Sequence, residues 1–189
     1  MDLLVRYSRE WLIDRIDAGE SFDYLLFYGH KAATDGSITA ACLSQWFPAA
    51  FEIDGIKYLT AEHFMMAEKA RLFGDHGSLA NILECKTPKE AKAFGRKVQN
   101  FETEAWQKHC TDIVVKANLA KFSANPGLAD WLVATAPKVL VEASMWDKIW
   151  GIGLVASAAG ADDPKRWKGR NLLGFALMET RDVLAKKAD

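Results

Sequence analysis

Between Thr60 and Thr135 the chain is punctuated almost entirely by helix starts and stops, and no other feature constrains the fold as strongly. Thr60 is placed to cap a helix over Ala61–Phe73, because a threonine hydroxyl accepts from the free N–H groups of a first turn. Gly74 then supplies the left-handed backbone that closes the last turn. Pro88 suits the first turn of a second helix reaching about Val98. Glu102 to Phe122 reads as a long helix with Trp106, Ile113, Val114 and Leu119 to bury, and Asn125-Pro126 opens another that runs to about Thr135. Outside this block, Tyr7 to Ile16 has the pattern of a short amphipathic helix. Asn171 is placed to cap a final helix from Leu172 to about Lys186, with Leu173, Leu177, Thr180 and Leu184 at helical spacing.

Strand signals are few and short. Phe22 to Tyr28 is an aromatic-rich run that reads as a buried strand. Asp35-Gly36 marks a turn, and Phe51 to Tyr58 encloses Asp54-Gly55, a hairpin signal. Val139 to Val141 is β-like. These strands do not alternate with the helices, so the expected class is α+β, helix-dominated, as a single domain over residues 1–189.

Composition narrows the function. Twenty-four Lys and Arg against twenty-five Asp and Glu leave a formal charge of −1, which excludes a globally basic nucleic-acid binder but not a local basic patch. The longest stretch without Asp, Glu, Lys or Arg, Gly36–Phe51, is interrupted by Ser, Thr, Gln and Pro and falls short of the ~20 apolar residues of a bilayer helix. Arg6, Arg9, Glu10, Asp14 and Arg15 stand where a signal peptide would be apolar. Cys42, Cys85 and Cys110 have no metal-ligand spacing, and they fit buried thiols in a reducing, cytoplasmic setting. His30, His63, His76 and His109 form no pair at metal-ligand spacing either, so neither a metal nor a cofactor is expected. Gly151-Ile-Gly153 followed by Ala156 loosely matches a dinucleotide fingerprint, but no βαβ unit surrounds it. A phosphate-binding Walker loop and a Gly-x-Ser-x-Gly elbow are both absent.

Four segments carry residue types suited to chemistry. In the first, Glu62, Met66, Lys69 and Phe73 share one helical stripe. Glu62 and Lys69 are about 10 Å apart along the axis, too far for a helical ion pair but able to converge on something between them. An apolar stripe would desolvate Lys69, which lowers an amine's pKa and makes it a nucleophile toward a carbonyl carbon. On periodicity alone, Lys69 reads first as an ordinary surface lysine. The second segment is Glu142 to Gly153, where Trp146 and Trp150 flank Asp147 and the run Gly151-Ile-Gly153 follows. Its tryptophans could stack on a base, its glycines could admit a ligand close to the backbone or adopt positive φ, and Asp147 could move a proton. Equally, the tryptophans could fill the core and Asp147 could cap a short helix. Third is Trp167-Lys-Gly-Arg-Asn171, where a helix start beside Gly169 and Arg170 would suit phosphate. Fourth is Ser44-Gln45-Trp46-Phe47-Pro48, a polar pair before aromatics, or a loop anchored by them.

In this order, these segments resemble the NADAR (YbiA-like) family. The resemblance runs from Phe27 to Leu184 and rests on Ser44, Trp46 and Pro48; Thr60, Glu62, His63 and Lys69; Gly95-Arg96 and Trp106; Lys121-Phe122; Asp147, Trp150, Gly151 and Gly153; and Gly169, Asn171, Gly174 and Arg181. Gln45 stands where many relatives have Asn, and the first ~20 residues lie outside the match as an extension. The resemblance implies hydrolysis of an N-glycosidic bond at ribose C1 without a cofactor. Two substrate classes are implied: ADP-ribose on guanine, as in antitoxin-like DNA repair, or the ribosyl-phosphate of early riboflavin-pathway intermediates. A non-catalytic ADP-ribose or NAD binder is the third reading. By resemblance Lys69 forms a Schiff base with the opened ribose, with Glu62 or Asp147 moving protons. Tyr28, Ser44, Gln45, Trp46, Trp150, Gly151, Gly153 and Asn171 are the expected substrate contacts. The expected partners are ADP-ribose or a ribosyl-phosphate and, through the basic run Pro164–Arg170 with Trp167 inside it, ADP-ribosylated single-stranded DNA; no membrane is expected.

Overall fold

Seven helices and four short strands follow one another in a computed structural model that describes residues 7–188. The residues sort into two compact units, one spanning 45–126 and the other made of the chain on either side of it.

The continuous unit begins with a hairpin. Strands β2 (Phe51–Ile53) and β3 (Ile56–Tyr58) pair antiparallel, with Phe51 opposite Tyr58. Asp54 and Gly55 turn the chain at φ values of 53° and 76°, so both stand in the left-handed region their residue types tolerate. Four helices follow: α2 (Ala61–Leu72), α3 (His76–Glu84), α4 (Pro88–Gly95) and α5 (Thr103–Ser123). The Thr60 side chain accepts from the His63 amide to start α2, and Gly74, at φ 67°, follows its end. Thr87 and Glu90 form a reciprocal capping box ahead of Pro88 on α4. Helix α2 packs against α3, α4, α5 and β3. It is therefore buried nearly all round, and the single apolar stripe expected from sequence gives way to a central helix. Helix α3 carries weak sequence signals, since Gly77 and Ser78 sit in its first turn; Asp75 starts it by accepting from Ser78 N.

The split unit holds α1 (Arg9–Asp17), β1 (Tyr24–Phe27), most of α6 (Pro126–Val133), β4 (Val139–Glu142) and α7 (Leu172–Ala188). Strands β1 and β4 pair in parallel, Tyr24 opposite Val139 and Phe27 opposite Glu142, although more than a hundred residues separate them. Val139, Leu140 and Val141 are fully buried between β1 and α7. The strand expected over Phe22–Tyr28 is shorter, and only Phe27 within it is buried; β4 is the one strand it pairs with among the described residues.

The predicted final helix is present, but Asn171 does not start it through its side chain. Asn171 has φ 57°, and its carboxamide instead bridges β4, accepting from Glu142 N and donating to Leu140 O, both at 2.9 Å. Gly174 makes this approach possible: a Cβ there would stand 2.0 Å from Leu140 O. Cys42, Cys85 and Cys110 are all buried thiols. Among the described residues no helix is long and apolar enough to cross a membrane.

Candidate active site

In the continuous unit the site is built on α2. Glu62 lies in its first turn, where the positive end of the helix dipole favours a carboxylate, and it is buried to 2% exposure. Its backbone N–H donates to Gln45 O. Two turns on, Lys69 is half-buried, so the ordinary surface reading of this lysine fails. Its Nζ donates to Gly95 O at 2.8 Å, a carbonyl at the end of α4 that has no partner within its own helix. The same ammonium lies 4.1 Å from the Phe101 ring centre and 5.6 Å from that of Trp106. Phe73 packs edge-on against Phe101, fixing that ring beneath the lysine. Among the described residues Lys69 makes no ion pair. Burial therefore holds its pKa below the ordinary lysine value, with no carboxylate to raise it again.

Gly95 fixes this geometry. A Cβ at Gly95 would stand 2.0 Å from Met66 Sδ, so α4 reaches α2 closely enough to present its carbonyl only because the residue is glycine. The sequence marks Trp106 for burial and places Gly95 and Trp106 in the resemblance, but it ties neither of them, nor Phe101, to Lys69. Their approach to Lys69 is tertiary, across 26 residues in the case of Gly95, and no local periodicity encodes it.

Other residues of this unit border the start of α2. The buried Gln45 accepts from Asn118 Nδ2 through Oε1 at 2.9 Å, while its Nε2 is a buried donor with no hydrogen-bond partner. Trp46 is half-buried, with Lys92 Nζ 5.7 Å from its ring centre. His63 is buried and its Nδ1 lies 2.8 Å from Thr60 Oγ1; burial pushes its pKa down, against the raising influence of the Cys85 backbone carbonyl and the Glu90 charge.

In the split unit the second motif forms a tight loop. Asp147 Oδ1 accepts from Ile149 N and Trp150 N at 2.8 and 2.7 Å, so Asp147 closes a turn. Ile152 N returns to Glu142 O, and Asn171 N and Leu173 N donate to Gly151 O and Trp150 O. Gly153 takes the positive φ that the sequence allows it, and Gly151 and Gly169 lie close against the chain's own backbone. A Cβ on Gly151 would stand 2.8 Å from Glu142 O, and one on Gly169 2.3 Å from Gly151 O. Gly153, at φ 68°, packs beside the Lys168 and Lys148 stems. Asn171 likewise anchors β4 with both ends of its carboxamide, so it shapes this loop. Trp150 is half-buried, and the exposed aromatics are Trp146, at 80%, and Tyr28, at 65%. Ser44 ends the short helical turn Ala40–Leu43.

The basic run Pro164–Arg170 presents Lys165, Arg166, Lys168 and Arg170 to solvent. Trp167 is 3% exposed and donates to Ala161 O, so it belongs to the core and offers no stacking platform. Lys165 pairs with Asp17. Among the described residues no three His, Cys, Asp or Glu side chains converge as a metal cage.

A buried carboxylate and a half-buried lysine thus share helix α2 of the continuous unit, and the Asp147–Gly153 loop belongs to the split unit. The family model for the NADAR domain matches residues 26–185. The chain belongs to the NADAR family. The N-glycosidase R617 of Acanthamoeba polyphaga mimivirus is 43% identical over 168 residues, which is 86% of this chain and 97% of that protein. The N-glycosidase YbiA of Escherichia coli is 33% identical over 71% of this chain and 75% of its own length. The NMR structure of E. coli YbiA superposes with a TM-score of 0.71 at 28% identity, covering 89% of each chain. The helix-rich α+β class expected from sequence is thus the class of a solved NADAR-family relative, and the family model spans both compact units.

Proposed function

We propose that this chain is an N-glycosidase that removes ADP-ribose from guanine through a Schiff base at Lys69. The coarse activity, hydrolysis of an N-glycosyl bond, rests on family membership and on relatives named N-glycosidase. The observation that carries the mechanism is the setting of Lys69: an amine held by a neutral carbonyl over two aromatic rings, with no ion-pair partner among the described residues and a pKa lowered by burial.

The C1–O4′ bond of the N-glycoside breaks, O4′ takes a proton, and the lone pair of the glycosidic nitrogen forms an iminium at C1. The neutral Lys69 amine adds to C1 and gives up a proton, the base leaves with a proton, and C1 remains bound to Nζ as a protonated imine. Water adds to C1, the C1–Nζ bond breaks, and ADP-ribose leaves with the free amine restored. Glu62, on the same helix as Lys69, is assigned the proton transfers. Gln45 Nε2 supplies an unspent donor for a ribose hydroxyl. Asp147 as second carboxylate, and Tyr28, Ser44, Trp46 and Trp150 as substrate contacts, rest on the resemblance. Gly151, Gly153 and Asn171 are assigned to shaping the Asp147 loop. A single domain over 1–189, cytoplasmic location and a substrate in single-stranded DNA belong to the same proposal.

Intact-protein mass after incubation with ADP-ribose and a borohydride tests the mechanism. An adduct of one ADP-ribose on the wild type and none on Lys69→Ala is the expected result. Adducts on both are nonspecific glycation and remove Lys69 from the chemistry; an adduct on neither points to the ribosyl-phosphate substrate or to hydrolysis driven by Glu62 and Asp147. Turnover of ADP-ribosylated guanosine beside a ribosyl-phosphate aminopyrimidine of the riboflavin type then decides the substrate; preference for the second overturns the ADP-ribosyl assignment.

A further inference from the structure

Within the split unit, α1, β4 and α7 border a cavity of about 290 Å³. This lies at the small end of the range for small-molecule sites, about 300–1,000 Å³, and suits one ring with a short arm. Tyr7, Trp11, Phe22, Val139 and Met178 give it mostly apolar walls. Tyr7 packs edge-on to Trp11 at 4.8 Å, and Trp11 is tilted against Phe22 at 5.9 Å.

Two charged residues also line it, Arg181 and Asp182. Arg181 is 4% exposed. Its Nη1 donates to Thr135 Oγ1 at 3.0 Å and to Lys138 O at 2.8 Å, and neither of those residues borders the cavity. Both acceptors are neutral, and among the described residues Arg181 makes no ion pair. Nε is buried without a hydrogen-bond partner. A guanidinium stays charged at any working pH, so this cation is held out of water without a counter-ion in contact. All its hydrogen bonds use Nη1, which leaves the Nε–Nη2 edge, the fork with which arginine grips a carboxylate in two parallel bonds. Asp182 sets a limit on the ligand: its carboxylate, which accepts from the Tyr7 hydroxyl at 2.7 Å, disfavours a second negative charge in the same space.

We infer that this cavity is a binding site for a small aromatic monocarboxylate, its carboxylate on the Nε–Nη2 edge of Arg181 and its ring among Trp11, Phe22 and Met178. The site is separate from the reaction proposed at Lys69, to which it contributes no residue.

Phenylacetate is the probe. In the full chain labelled with 15N-arginine, the Arg181 Nε–H resonance, identified by its loss in Arg181→Lys, should shift saturably on titration with phenylacetate. 2-Phenylethylamine, the same ring with the opposite charge, should leave it in place. Ala185→Phe puts a ring into the cavity one helical turn after Arg181 and keeps the guanidinium itself. It should weaken phenylacetate at least tenfold while keeping the wild-type circular dichroism, and it carries the test if Arg181→Lys fails to fold. The inference is overturned if phenylacetate gives no saturable shift, if the amine gives the same shift, or if Ala185→Phe binds phenylacetate as the wild type does.

Discussion

Replacing Gly174 by alanine should unfasten α7 from β4. The new Cβ would stand 2.0 Å from Leu140 O and 2.5 Å from Asn171 Nδ2, where ordinary contact begins at 3.4 Å. Neither neighbour can retreat cheaply. Leu140 is fully buried in the strand paired with β1, and Asn171 bridges Leu140 O and Glu142 N. Overpacking of this kind costs about 1–3 kcal/mol. Freeing at least one buried donor of the bridge adds about 1–3 kcal/mol. The better helix propensity of alanine returns about 1 kcal/mol. The net loss is about 3 kcal/mol, which for a chain of this size lowers the melting temperature by ~6–12 °C. Thermal unfolding followed by circular dichroism measures it. Gly77→Ala is the control: in helix α3, with only Asp75 Oδ1 near at 3.6 Å, the same change should stabilise by up to about 1 kcal/mol. A Gly174→Ala protein melting within 2 °C of the wild type would refute the close approach of α7 to β4.

Turnover should rise with pH as Lys69 loses its proton. Burial lowers that pKa, so the limb should lie below the ordinary lysine value of about 10.4, and a limb at or above that value contradicts the desolvated amine. Gly95→Ala should reduce kcat in a protein still folded at the assay temperature, because the flexible end of the Met66 side chain can yield while the carbonyl that positions Lys69 moves; an unchanged kcat would make Gly95 purely structural. His63 is held neutral by burial, with a folded pKa below the unfolded value of about 6.5. The unfolded chain therefore binds more protons as pH falls through 6.5, and stability is lost there. His63→Gln should flatten the drop in urea midpoint between pH 7.5 and pH 5.5. Alanine at Arg166, Lys168 and Arg170 together should weaken activity on ADP-ribosylated single-stranded DNA and reduce its salt dependence; an unchanged salt slope removes this run from the substrate path.

Helix placement was legible because caps are local. Thr60, Pro88 and Asn125-Pro126 mark starts that the structure keeps to within a residue or two. Helix α3 was not legible, since Gly77 and Ser78 depress propensity and its support comes from packing on α2 and α4. Asn171 misled because asparagine before a helix usually caps it; its left-handed backbone turns the carboxamide toward β4. The glycines of the Asp147 loop were legible only in part: Gly153 takes the positive φ its residue type permits, but the neighbours of Gly151 and Gly169 could not be read from sequence. Glycine permits close approach without saying what approaches, and here it is Glu142 O and Gly151 O. Glu62 and Lys69 could be placed on one helix by counting, but the burial of both depends on α2 being enclosed by elements from elsewhere in its unit.

The parallel pairing of β1 with β4 also bears on the order of events during synthesis. Residues 45–126 form a continuous stretch and can gather their contacts as soon as they leave the ribosome. Phe27 must wait for Glu142, and at ~5–20 residues per second that wait is roughly 6–23 s. Throughout it the nascent chain carries an exposed strand edge, Tyr24–Phe27, rich in the residues that recruit other strands. Ribosome-bound intermediates stalled before Val139 should therefore be the aggregation-prone species in the life of this chain.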